Sequence, residues 1–400
     1  MLHRALAASA VTAVAALVLT GCVAKADLAE AIPVAIVDDA CAVETPTATA
    51  GAVTFRLTND GSDVNEFEVL GDDKLRIVGE KENVAPGQTV DFTAHLEPGT
   101  YYTACKFQQV GAPIGLAEFT VTGEATGVSA DRQELADRAV DEYLDYVRSQ
   151  VAELLPAAAA FAAAYASGDD ETARSLYAAA RVPYERIEPT AEAFGDLDPR
   201  IDFREVDAVA DGLEWTGFHR IEKDLWPPAA GDLNSDGQDA LADWAPSTPA
   251  ERQALADRLV ADVTELHDLV ADEHFSVSLD AISNGAIALL DEVAAGKITG
   301  EEDWWSGTDL SDFAANVQGA GVAFGAVRPI AEATDEGAEL AAEIDARFDE
   351  LEAALGEYGS LEDGFVDYAT LDDAQTKALS DRVNALAEPL SQLTATVLGS

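Results

Sequence analysis

Two textures divide the chain. Between Val34 and Thr122, apolar and polar positions alternate in short runs: Ala52-Val53-Thr54-Phe55-Arg56-Leu57, Glu66-Phe67-Glu68-Val69-Leu70, Leu75-Arg76-Ile77-Val78, Thr89-Val90-Asp91-Phe92-Thr93 and Ala117-Glu118-Phe119-Thr120-Val121. Period-two alternation puts successive side chains on opposite faces, so each run predicts a half-buried strand. Asn59-Asp60-Gly61, Ala85-Pro86-Gly87 and Glu97-Pro98-Gly99 supply turns between them. Short strands at this spacing predict a modest all-β sandwich over 34–123. After Gly123 the period changes. Val140, Leu144, Val147, Val151 and Leu154 step by four and three, forming one apolar stripe along a helix. Ser129-Ala130-Asp131 is a fitting start, with an acid at the positive end of the helix dipole. Further helical patterns cover 169–180, 184–194, 250–273, 279–296, 311–327, 331–356 and 371–397. Residues 129–400 therefore predict an all-α domain of long, Ala-rich, closely packed helices.

The first residues read differently. Met1-Leu2-His3-Arg4 is a short basic start, and Ala5 to Thr20 carries no charge. That run is short for a bilayer span and fits the apolar core of a signal peptide over 1–21. It ends in Leu19-Thr20-Gly21-Cys22, which resembles a bacterial lipobox. Cleavage before Cys22 and lipidation of that residue would leave 22–33 as a tether. Several acyl chains on one residue anchor firmly, because each buried CH₂ contributes about 0.8 kcal/mol. The expected location is the extracytoplasmic side of a bacterial membrane, periplasmic or at the cell surface.

Charge narrows the choice of partner. The 400 residues hold 75 acidic and 24 basic side chains, a formal charge of −51. Residues 27–123 carry 16 acids and 5 bases, and 124–400 carry 59 and 17, so no basic region compensates. Nucleic-acid binding through phosphate neutralisation is excluded on this balance. Cations are the natural small partners of such a field, although an acidic surface also serves solubility.

The candidate chemistry is metal chemistry. A blue-copper site needs two His, one Cys and usually an axial Met. The β region has only His95, and Met1 is the only methionine in the chain. What it does offer is Cys41, Cys105 and carboxylates such as Glu66, most of which read as solvated strand faces. The two cysteines are either a disulfide, favoured outside the cytoplasm, or ligands to a soft metal. In the helical region, His219 and Glu222 stand three apart in Gly217-Phe218-His219-Arg220-Ile221-Glu222-Lys223 and so share one helix face. Glu185 and Glu188 repeat that spacing, and Glu292 on another helix could complete a site. The motif is not the zinc-protease HExxH, since Arg220 and Lys223 occupy the diagnostic places. Asp232-Leu233-Asn234-Ser235-Asp236-Gly237-Gln238 matches the opening of an EF-hand-type calcium loop, whose twelfth position falls on Asp243 rather than Glu. A polar turn is the competing reading of that stretch. The five tryptophans of the helical region read as core or groove walls.

Longer motifs carry a resemblance. Tyr184-Glu185-Arg186-Ile187-Glu188-Pro189, Phe194-Gly195-Asp196-Leu197-Asp198-Pro199, Gly217 to Trp226, Lys297-Ile298-Thr299-Gly300-Glu301-Glu302 and Thr308-Asp309-Leu310-Ser311-Asp312-Phe313-Ala314-Ala315-Asn316 resemble the EfeO family of bacterial iron-uptake lipoproteins. Glu82-Asn83-Val84-Ala85-Pro86-Gly87, Glu97-Pro98-Gly99 and the two cysteines agree with it. The resemblance implies a cupredoxin-like β domain, an imelysin-like (peptidase-like) helical domain, and iron (Fe2+ or Fe3+) as cargo, while the donor types alone also leave copper, zinc and calcium open. It implies an Efe-type permease and a haem peroxidase as partners, and it maps the family's HxxE metal motif onto His219 and Glu222. The family often has His before the Thr-Asp-Leu run, where this chain has Gly307. Two other functions stay open at this level: a metallopeptidase of the imelysin-like class, and a calcium-stabilised cell-surface binding protein.

Overall fold

The computed structural model describes residues 31–74, 76–108, 112–123, 130–242, 244–295 and 297–399, with the side chains of 130, 291, 292, 294, 295 and 297 excepted. Cys22, Asp243 and the side chain of Glu292 thus lie outside what is described, as do the signal segment and most of the tether.

Nine strands build the first domain: β1 Ile32–Val37, β2 Ala40–Val43, β3 Thr47–Thr49, β4 Gly51–Asn59, β5 Asn65–Leu70, β6 Ile77–Val84, β7 Thr89–Leu96, β8 Gly99–Phe107 and β9 Ile114–Thr122. They form two sheets, ordered β2-β1-β4-β7 and β3-β9-β8-β5-β6. The pairs β1/β4 and β3/β9 are parallel and the remainder antiparallel. Inward positions of the alternating runs meet between the sheets, where Phe55 contacts Phe67, Phe92 and Phe119 at ring separations of 5.1, 6.3 and 5.4 Å. Strand β8 does not alternate, because Thr103, Ala104 and Cys105 are all buried. Its neighbour β5 is buried along its whole length. Glu66 and Glu68 are therefore not solvated strand faces, being 3% and 4% exposed.

Cys41 and Cys105 form a disulfide, which removes the soft-metal alternative for their thiolates in this structure. The bridge closes a sequence separation of 64 residues. Constraint of the unfolded chain over such a loop contributes about 4 kcal/mol. Cys41→Ala with Cys105→Ala should lower the stability of the β domain by about that amount in urea unfolding followed by its strand signal.

The helices are α1 Ala130–Ser167, α2 Asp170–Glu185, α3 Leu197–Ile201, α4 Glu205–Asp211, α5 Gly217–Leu225, α6 Pro249–Ala271, α7 Leu279–Ala295, α8 Asp309–Ala331, α9 Asp335–Leu355, α10 Asp373–Leu390 and α11 Leu393–Leu398. The stripe from Val140 to Leu154 faces α2, α6 and α8 in one continuous apolar core. The pattern over 184–194 is not one helix. α2 ends at Glu185, and Pro189, which lacks an N–H, sits at the start of a 3₁₀ segment over Glu188–Phe194. Among the described residues, no helix is long and apolar enough to cross a membrane.

Helix α7 joins the domains. The His95 N–H donates to Asp280 Oδ2 at 2.8 Å, and Asn284 Nδ2 donates to the Thr93 carbonyl at 2.9 Å. Thr394 of α11 donates to Asn284 Oδ1 at 2.6 Å and fixes that amide. A cleft of about 660 Å³ opens beside this junction, between the outer face of β5, β6 and β8 and the segments following α2 and α3.

Candidate metal centre

The site grows from two close approaches. Thr216 Oγ1 donates to the Arg200 carbonyl at 2.8 Å, and Gly217, with φ of 81°, begins α5. A Cβ at Gly217 would run into the Ile201 carbonyl, so only glycine lets α5 start against the end of α3. That contact brings His219 beside Asp202. On the opposite side, Asp309 begins α8 and its Oδ1 accepts the N–H groups of Glu302 and Asp303 at 3.2 and 3.1 Å. The preceding loop thereby presents both carboxylates to the same imidazole.

His219 is 2% exposed and has carboxylates at both ring nitrogens. Nε2 lies 3.3 Å from Glu302 Oε1 and 3.7 Å from Asp202 Oδ1, and it has no hydrogen-bond partner. Nδ1 lies 3.3 Å from Glu222 Oε2, 3.3 Å from the Tyr177 hydroxyl and 3.8 Å from Asp303 Oδ1. The HxxE pair does share a helix face, but Glu222 is already engaged. Its Oε1 accepts the N–H groups of Trp305 and Ser306 at 3.1 and 2.7 Å, while Oε2 faces Nδ1. A carboxylate on the far nitrogen orients a ligating imidazole and fixes its tautomer. Burial and the Arg181 charge lower the His219 pKa. The Glu222 and Glu302 contacts and the Asp202 charge outweigh them, pushing it up to about 10. A metal at Nε2 must therefore displace a proton.

Arg181 is the counter-charge. It is fully buried, and its guanidinium donates to Glu185 at 2.6 Å, to Asp312 at 3.0 Å from Nε and to Asp202. Burial opposes its charge, but Asp202, Asp312 and Glu185 more than offset that and hold it ionised. Burial pushes Asp202 up to about 7, with Arg181 pulling the other way. Asn316 Nδ2 donates to Glu185 Oε2 at 3.0 Å and to Glu188 Oε2 at 2.6 Å. Glu185 and Glu188 thus belong to the same polar network through Arg181 and Asn316, one step removed from the imidazole. Asp202, Glu302, Asp303 and Arg181 were not among the residues expected from spacing. Glu302 does lie inside a motif that carries the family resemblance, which was the available signal.

Asp309 is pushed up to about 8, first by burial and then by Asp303, and its Oδ2 is buried without a partner. The folded state therefore holds this proton between about pH 4 and pH 8, where the unfolded chain has released it, and stability falls as pH rises through that window. Asp309→Asn should raise the stability of the metal-free protein at pH 9 by on the order of 3 kcal/mol relative to the wild type, with the gain vanishing toward pH 4. Thermal unfolding across pH measures it.

Among the described residues of the calcium-like stretch, Asp232, Asn234, Asp236 and Gln238 each turn an oxygen to a partner within the protein. Asp232 Oδ2 accepts the Ala229 N–H at 2.7 Å and Asp236 Oδ1 accepts the Gln238 N–H at 2.9 Å. The Gln238 carbonyl accepts the Asn234 N–H at 2.9 Å. Asn234 Oδ1 accepts from the Lys223 ammonium at 3.0 Å. That ammonium is buried against the rings of Trp215, Trp244 and Trp305 and also bonds Glu205. A resident lysine thus engages an oxygen expected to ligate calcium. Trp215, Trp304 and Trp305 are walls of a small pocket reaching His219 and Glu222, as groove residues would be. Gly307 has φ of 68°, a conformation that strains any side chain, and a histidine there would need the Asp367 carboxylate, 2.7 Å from the Cβ position, to move aside.

Comparison with known proteins agrees with both domains. Residues 9–114 match the cupredoxin-like domain model and 139–393 match the imelysin model. The chain is 38% identical to the iron uptake system component EfeO of Escherichia coli O157:H7, over 95% of each chain. The chain belongs to the EfeO family. The iron uptake system components EfeO of Escherichia coli K12 and of Shigella flexneri are each 37% identical to it over the same share of both chains. It is an EfeO-type component of an iron uptake system, with a cupredoxin-like domain followed by an imelysin domain. In this EfeO chain the imidazole of the HxxE pair stands between two sets of carboxylates, and the pair itself supplies only one of them.

Proposed function

We propose that the protein binds iron at Nε2 of His219 together with Asp202 and Glu302, and delivers it to a membrane permease. The observation that carries this reading is the buried Nε2, which has no hydrogen-bond partner and points between two carboxylates. One imidazole and several carboxylates suit iron in either oxidation state, and the acidic cleft that Asp202 and Glu302 also line would draw cations toward it. Glu222 holds the ring, with Arg181, Glu185 and Glu188 behind. The chain would act outside the cytoplasm, anchored through lipidated Cys22, alongside a permease and a haem peroxidase. A transport role fits better than peptidase chemistry: Glu222, the carboxylate nearest a general-base position, has both oxygens occupied. Titration of the purified protein with Fe(II) under nitrogen and with Fe(III) in air tests the reading. One equivalent should bind with His219 in its shell and vanish in His219→Ala. Unchanged iron binding in that variant would reject the site.

A further inference from the structure

The helical domain leaves apolar side chains in water around one opening. Among the described residues, Val209, Leu233 and Leu213 are the most exposed large apolar side chains, at 71, 51 and 48%, and Trp304 is 42% exposed. All four stand on the segments that form the small pocket reaching His219 and Glu222, whose walls include Val206, Asn234, Ser235 and Trp304. Val209 lies one turn beyond Glu205 and Val206 on the same side of α4. Leu213 follows the Gly212 cap, and its N–H donates to the Ala208 carbonyl at 2.8 Å. The Trp304 indole N–H donates to the Leu233 carbonyl at 2.9 Å, which sets those two residues side by side. Single exposed apolar residues are ordinary, but a group of them around a pocket mouth marks a contact surface. Its charge is one-sided. Asp211, Glu214, Asp232, Asp236 and Asp239 are exposed on the same segments. Residues 205–215, 230–241 and 300–305 contain no Lys and no Arg, and Arg204 at their edge is paired with Asp207 and Glu301.

We infer that Val209, Leu213, Leu233 and Trp304, with the acids around them, form the docking surface for the membrane protein that receives the iron, and that this partner presents apolar side chains ringed by Lys and Arg. The inference rests on the His219 reading and adds to it the place of contact. Charge decides the class of partner. An acidic rim without a base repels a second copy of this chain, whose formal charge is −51, and attracts a basic face. Position decides the role. A partner seated here covers the pocket, so an ion leaving His219 by that way passes between proteins without entering bulk water. Glu302 lines both this pocket and the inter-domain cleft, so the centre keeps a second approach when the pocket is covered.

The test uses the full chain in cells that carry an epitope-tagged permease. Benzoylphenylalanine, a photoreactive side chain, replaces Val209 or Leu233, and replaces Leu116 of β9, which is 47% exposed, as the control. Irradiation should link the first two positions to the permease and leave the third unlinked. Val209→Ser with Leu213→Ser should remove the link from position 233 and cut cellular uptake of radioactive iron by about tenfold or more. The purified serine variant should keep the melting temperature and the iron binding of the wild type. Glu214→Lys with Asp236→Lys should cut uptake to a similar degree. Lost iron binding in the purified serine variant would make the patch part of the centre and overturn the docking surface. Links only to a second copy of the chain or to some other protein, or undiminished uptake in both double variants, would overturn it too. If instead His219→Ala leaves iron binding intact while positions 209 and 233 still link to the permease, the surface stands and the reading of His219 falls.

Discussion

Arg181→Met should destabilise the metal-free protein by about 3–5 kcal/mol, a fall of roughly 10 °C in the melting temperature of the helical domain. The reason is what remains behind. Glu185, Asp202 and Asp312 are buried to within 7% of complete exclusion, and each loses its guanidinium partner. Uncompensated charge in such a place costs more than the pair ever contributed. Saturating Fe(II) should recover part of the loss, because a cation bound only by the folded state stabilises it and restores the missing charge. Arg181→Lys should lie between, since an ammonium keeps the charge but not the planar fork that serves several carboxylates at once. A melting temperature within a degree or two of the wild type would show that the guanidinium is not needed to hold the centre together.

The second large effect separates ligands from supports. His219→Ala, Asp202→Asn and Glu302→Gln should each weaken iron binding by more than about 100-fold in calorimetric titration. Glu222→Gln should fall in the range of roughly 10–100-fold, typical of a group that orients a ligand. The glutamine can still accept from Trp305 and Ser306 but no longer offers a charge to Nδ1. Equal losses for Glu222→Gln and Asp202→Asn would mean that Glu222 touches the ion itself.

The sequence carried the two domains plainly, because periodicity is a local property and both textures run for many residues. The sandwich from Ala52 to Val121 and the stripe from Val140 to Leu154 needed no tertiary knowledge. β8 does not show as an alternating run, because its middle, Thr103 to Cys105, is buried on both faces. The site was half legible. His219 and Glu222 are one helical turn apart, a relation visible in a single line of letters. Asp202 and Glu302 reach the ring only through the contact that Gly217 permits and the loop that Asp309 pins, neither of which spacing encodes. Arg181 was hidden for another reason: on an amphipathic helix an arginine reads as solvent-facing, and only the fold reveals the carboxylates around it.

Helix α7 takes backbone partners from β7 through Asp280 and Asn284. An excised β domain would leave the Thr93 carbonyl and the His95 N–H without them, and would open Glu66, which now lines the inter-domain cleft, to water. The severed sandwich would then titrate, and take up ions, like an ordinary acidic surface. Measurements on isolated halves would describe a chemistry that the intact molecule does not possess.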